Sequence, residues 1–187
     1  MIFDTVFHPT SSFESAFSSG NNKKALLTVS LAGLFLSIGI FLLTSNIIYS
    51  VFAFFLNIIN WVVLSGIVFF FEFVHARKKS KSSVNGFVKS SSAVGVLWEI
   101  NLLAYFLISL GAGIIPIFRG FLLNAAIGVL FVLLIFCAVV WIIASFKMLK
   151  VVFKAENGKL VLNWIILMLL NSLVSVVVSN LLSTLLF

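Results

Sequence analysis

Any chemistry in this chain has to begin at Glu99. It stands in Trp98-Glu99-Ile100-Asn101 and is the only charged residue between Lys89 and Arg119. If a membrane span starts near Ser91, Glu99 lies ~14 Å from its basic end, approaching mid-membrane. A carboxylate there costs at least ~2.5 kcal/mol on insertion scales, so it must face protein or water and have a partner. Two readings follow. Glu99 is a proton or cation site, or it makes an interhelical hydrogen bond to Asn57, Asn60 or Asn163, with protonation allowed. Asn101, one residue beyond Ile100, joins these as a candidate intramembrane polar site. Asn57, Asn60, Asn101, Asn124, Asn163, Asn171 and Asn180 fall on four apolar runs, and amides in lipid generally bond one another across helices.

Other chemistries find no residues to carry them. Cys137 is the only cysteine, so neither an internal disulfide nor a thiolate metal cluster can form. His8 and His75 are far apart and belong to no ligand motif, so no metal or cofactor is expected. Glu72 and His75 have the i,i+3 spacing of a local interfacial pair. Paired catalytic carboxylates, a Ser/His/Asp set and a phosphate-cradling glycine loop are all missing from the sequence. The chain is not expected to be an enzyme.

The elements that position Glu99 follow from composition. Of 187 residues, 62% are hydrophobic and only 9% are charged. A soluble domain averages about 25% charged, so a water-soluble globule is excluded. A helix needs about 20 apolar residues to cross a bilayer. The uncharged run between Lys24 and Glu72 is more than twice that length, and Thr44-Ser45-Asn46 is its natural turn. Pro116 closes a later run, because proline cannot donate in a continuing helix. The fold class expected is all-α: a five-helix transmembrane bundle over 25–187, with spans at about 25–44, 49–74, 91–113, 121–146 and 160–186. The connections at 75–90 and 147–159 are read as soluble loops. Two basic-flanked hairpins followed by a lone helix suggest a weak internal repeat.

The first 24 residues hold Phe3, Phe7, Phe13 and Phe17 as two i,i+4 pairs separated by Pro9, and lack the form of a secretory signal. Ser11 and Glu14 have capping-box spacing, which predicts a helix from near Ser11. This amphipathic segment either lies at headgroup level or packs its phenylalanines on helix ends. Both keep it at the membrane.

Twelve cations and five anions give +7. With five spans, eleven of the cations fall on one side and Arg119 falls alone on the other. Cytoplasmic loops carry the Lys/Arg excess, so the N-terminus is expected inside and the C-terminus outside. This bias argues against a dual-topology dimer and accounts for the charge without nucleic acid. Arg77, Lys78, Lys79 and Lys81 form a basic loop suited to lipid headgroups or a partner. Ser172, Ser175, Ser179 and Ser183 share one helix face, as do Ser30, Gly33 and Ser37. Such small-residue stripes favour helix contact, within the bundle or with a protein partner or second copy.

Three stretches resemble the prokaryotic branch of the Yip-domain (Ypt/Rab-interacting protein) family of five-span membrane proteins. They are Val6-Phe7-His8-Pro9-Thr10-Ser11-Ser12-Phe13-Glu14, Val84-Asn85-Gly86-Phe87-Val88-Lys89-Ser90, and Lys147 to Phe153 continuing to Asn157-Gly158-Lys159. The family's tyrosine–proline element in the third span, its long cytosolic domain and its aspartate–leucine–tyrosine–glycine signature are missing, so Rab binding is not implied. The resemblance implies a non-catalytic membrane-organising scaffold or adaptor. The alternatives are a small transporter or channel component using Glu99 and the asparagines, and an accessory subunit of a larger membrane complex. A topology reporter fused after Phe187 is expected to be active outside; activity in the cytoplasm would overturn the five-span arrangement.

Overall fold

The computed structural model describes the backbone of residues 2–76, 84–114, 116–117, 121–153 and 157–186. Side chains are described over 5–74, 86–114, 116–117, 122–153, 160–173, 176–177 and 180. Every element is helical: α1 (Ile2–Phe7), α2 (Pro9–Ser19), α3 (Asn22–Thr44), α4 (Ile47–Ala76), α5 (Val84–Ile114), α6 (Phe121–Phe153) and α7 (Asn157–Leu186). Among the described residues, four helical stretches are long and apolar enough to cross a membrane: Asn22–Thr44, Ile47–Val74, Gly86–Ile114 and Leu122–Phe153. The expected count of five is corrected to four. The fifth run, in α7, has a described apolar stretch of only Leu160–Leu173, shorter than a span requires.

Local chemistry explains the breaks. Ser45 ends α3 in the left-handed region (φ 54°), with its N–H donating to Phe41 O at 2.7 Å. Asn46 then accepts from the N–H groups of Ile48 and Tyr49, starting α4. Gly20 (φ +58°) ends α2 in the same left-handed conformation, which costs a residue without a Cβ little. Helix α2 begins at Pro9 rather than near Ser11. Proline at the first helical position loses no bond, and the Ser11 hydroxyl donates back to His8 O.

The regions read as soluble loops are largely helix. Residues 84–90 open α5, and 147–153 complete α6. No proline interrupts either, and Met148, Leu149 and Val152 are buried in the core despite the neighbouring lysines. Arg77, Lys78, Lys79 and Lys81 lie outside the described residues.

The closest packing joins α3 and α5. A Cβ on Gly95 would collide with the Ala25 Cβ and lie 2.9 Å from its Cα, so the two backbones meet where neither carries bulk. One Asn22 amide oxygen accepts from both Ser91 and Ser92, and at the far end Gly39 sits against Ser109. Asn22/Ser92, Ala25/Gly95 and Gly39/Ser109 all keep one offset of 70 residues, so α3 and α5 run parallel and in register. Helix α4 returns antiparallel to both. The Ser50 hydroxyl donates to Ser37 O at 2.6 Å, and the Trp61 indole N–H to Ser91 O at 3.2 Å.

Burial is concentrated at the end of the bundle where α3 begins. Phe13 of α2 is fully buried there with Val94, Leu97, Met148, Leu149 and Leu160. On α6 the buried side chains lie from Cys137 to Val152; Val129, Phe131 and Val132 near its start are exposed. Gly95→Ala is expected to destabilise the protein by about 1–3 kcal/mol through overpacking, against a gain of ~1 kcal/mol at an open helical position. Adding Ala25→Gly should recover part of the loss, as read by thermal unfolding of the detergent-solubilised chain.

Candidate functional site: a hydroxyl-lined cleft

The register of α3 and α5 decides what Glu99 meets. Gly95 lies beside Ala25, so Glu99 sits one helical turn further along, within reach of a side chain from the start of α3. Lys24 supplies it, with its Nζ 3.1 Å from Glu99 Oε1. The other carboxylate oxygen accepts from the Thr5 hydroxyl of α1 at 2.6 Å. Glu99 is 4% exposed and Lys24 45%, so a buried anion is neutralised by a half-solvated cation.

Asn57, Asn60 and Asn163 are therefore not the partners of Glu99. Asn57 instead ties three helices together. Its amide donates to Val29 O at 2.8 Å, and its carbonyl accepts from the Trp98 indole at 2.9 Å. Asn60 Oδ1 is buried without a partner among the described residues. Asn163 is buried on α7. Asn101 lies in a different place, an apolar groove between α5 and α6 lined also by Cys137 and Trp141, whose indole N–H is unpaired among the described residues. The expected polar set is thus dispersed rather than gathered around Glu99. Glu72, expected to pair with His75, accepts from Ser90 of α5 at 2.9 Å, and the His75 side chain lies outside the described residues.

Around the Lys24–Glu99 pair is a cleft of ≈ 380 Å³, within the usual range of ligand pockets. Helices α1 and α2 form one wall, and α3 and α5 the other. Hydroxyls line it: Thr5, Ser11, Ser12, Ser15, Ser19, Thr28 and Ser92, with Asn21. Phe13 is buried and Phe17 packs against the core, which anchors α2, whereas Phe7 is 69% exposed. The N-terminal segment is accordingly a cap fastened to the bundle by α2. Sequence reasoning missed this cleft, although Ser11, Ser15 and Ser19 repeat at the four-residue spacing of one helix face.

The small-residue stripes divide. Gly33 lies against Phe54 and Asn57, and Ser37 bonds Ser50, so the α3 stripe faces α4. On α7, Ser172 is exposed, and the side chains of Ser175, Ser179 and Ser183 lie outside the described residues. Among the described residues no three His, Cys, Asp or Glu side chains are grouped to hold a metal ion.

Four apolar spanning-length helices with a polar cap at one end define a multi-pass integral membrane protein of all-α build. No family model, curated protein or solved structure matches the chain.

Lys24→Met, which leaves the Glu99 carboxylate unpaired, is expected to lower stability by about 1–3 kcal/mol, allowing for the solvent around Lys24. Glu99→Gln keeps an acceptor for Thr5 and should cost less. The double variant should regain part of the Lys24→Met loss; thermal unfolding that ranks it as the sum of the two would show the pair to be uncoupled.

Proposed function

We propose that this protein is a non-catalytic membrane-organising scaffold or adaptor, with the α1–α2 cap and the basic loops on its cytoplasmic face. The observation that carries this reading is how the intramembrane polar groups are used. Asn57 and Glu99, both buried, bond neighbouring helices and the cap. A carrier needs polar groups that exchange between solute and protein, whereas these hold elements together. The resemblance to the Yip-domain family points the same way. In this reading the N-terminus is cytoplasmic, as the basic residues favour.

A second reading, an accessory subunit of a larger complex, draws on the exposed faces of α6 and α7. Phe131, Val132, Leu162 and Leu169 are each more than half exposed. Those faces suit lipid, a second copy or a larger partner. Blue-native electrophoresis with mass spectrometry of co-purifying proteins is expected to find a discrete complex; a monodisperse monomer without partners would count against both readings. In proteoliposomes, solute flux lost in Glu99→Gln with assembly intact would replace them with the transporter reading.

A further inference from the structure

The cleft contains more hydrogen-bonding capacity than the protein uses. A carboxylate offers about four acceptor sites and an ammonium three donors. Glu99 employs two of its sites, for Lys24 and Thr5, and Lys24 employs one donor on Glu99. Thr28 is 8% exposed and lines the cleft. The hydroxyls of Ser12 and Ser15 line the facing wall. Together with Lys24 and Glu99 these hydroxyls face a volume large enough for a ligand.

The spare groups have a definite charge pattern. The acceptors are on an anion and the donors on a cation 3.1 Å away, so the described lining of the cleft is neutral and dipolar. A simple anion would be repelled by Glu99 and a simple cation by Lys24. A zwitterion satisfies both. The two remaining ammonium donors and three hydroxyls outnumber the about four acceptor sites of a carboxylate, which favours a phosphate at the Lys24 side. Free acceptor sites on Glu99 favour a cation that retains N–H groups, a primary ammonium rather than a quaternary one. The cleft also lies at the level where Lys23 and Lys24 give way to the apolar run of α3, which is the level of lipid headgroups.

We propose that the cleft binds a primary-ammonium phosphate zwitterion, the headgroup chemistry of an aminophospholipid. Lys24, Ser12, Ser15 and Thr28 hold the phosphate, and Glu99 accepts from the ammonium. The inference rests on the membrane reading above only for the level of the cleft.

The test uses the full-length protein in nanodiscs of phosphatidylcholine alone, or with added phosphatidylethanolamine or phosphatidylglycerol, and native mass spectrometry reads the lipid retained. Phosphatidylethanolamine is expected to be retained selectively, and Thr28→Val, a near-isosteric change, to reduce that retention about 10-fold. Lys24→Met/Glu99→Gln should remove the selectivity, with tryptophan emission confirming that the variants stay folded. Free phosphoethanolamine is added in a separate arm. Competition with the lipid identifies the headgroup as the recognised part; binding of the free compound without selective lipid retention assigns the source as a soluble zwitterion. Equal retention of the three lipids with no binding of free phosphoethanolamine would overturn the proposal, as would selectivity unchanged in Thr28→Val and the double variant. Partner co-purification reads none of these, so failure of the scaffold reading would leave the outcome distinguishable.

Discussion

The absence of a side chain at Gly95 sets the register on which the rest of the bundle depends. Ala25 occupies the space a Cβ would need, so α3 and α5 meet there almost backbone to backbone. In lipid there is no hydrophobic force between helices, and association rests on close packing and interhelical hydrogen bonds. The shared offset of 70 residues supplies both. It brings Ser91 and Ser92 to Asn22, Ser109 to the Phe35 carbonyl, and Glu99 within reach of Lys24. Helix α4 then packs on a pair already aligned, and Asn57 bonds to both members of it.

The same seam explains why burial is uneven along the bundle. Helix α2 covers the end where α3 starts, and the lysine-bearing last turns of α6 extend to meet it, with Met148, Leu149 and Val152 inside. Toward the other end α6 leaves the core, and its large apolar side chains face outward. In water such a surface would exceed the apolar patches a soluble monomer exposes. In a bilayer it is ordinary lipid-facing surface. The folded state described here therefore has the membrane as its solvent on one part of its length and internal packing on the other.

Much of this architecture was legible in the sequence because it depends on local chemistry. Uncharged runs without proline became helices, and Thr44-Ser45-Asn46 became the turn, through a left-handed Ser45 and the Asn46 side chain. The interruption at Pro116 was equally readable, with Ile117 N–H bonding Ile114 O. Charge misled where it was taken to mean loop. Residues 84–90 carry Lys89 and 147–153 carry Lys147 and Lys150, yet both are helical, since Phe87 packs on Phe69 and Met148 and Leu149 are buried. The count of five spans rested on α7, whose described apolar stretch is too short to establish one. The site was least legible. The partners of Glu99 lie 75 and 94 residues away, and only helix register, a tertiary property, brings them together.

That distinction changes how an intramembrane carboxylate should be read. Counting from the start of its own span placed Glu99 ~14 Å deep, where only amides seemed near enough to partner it. Yet α5 is helical from Val84, and it is the position of the neighbouring helix that determines what Glu99 meets. Lys24, the last cation before the apolar run of α3, can extend a flexible four-carbon stem to a residue one turn further along. A lysine at the end of a span thus serves two purposes, biasing orientation and neutralising an anion on the adjacent helix. An acidic residue inside an apolar run is tolerated when register sets it within a turn of a neighbour's basic end. Measured along its own helix Glu99 looks isolated; measured across the Gly95–Ala25 seam it is paired.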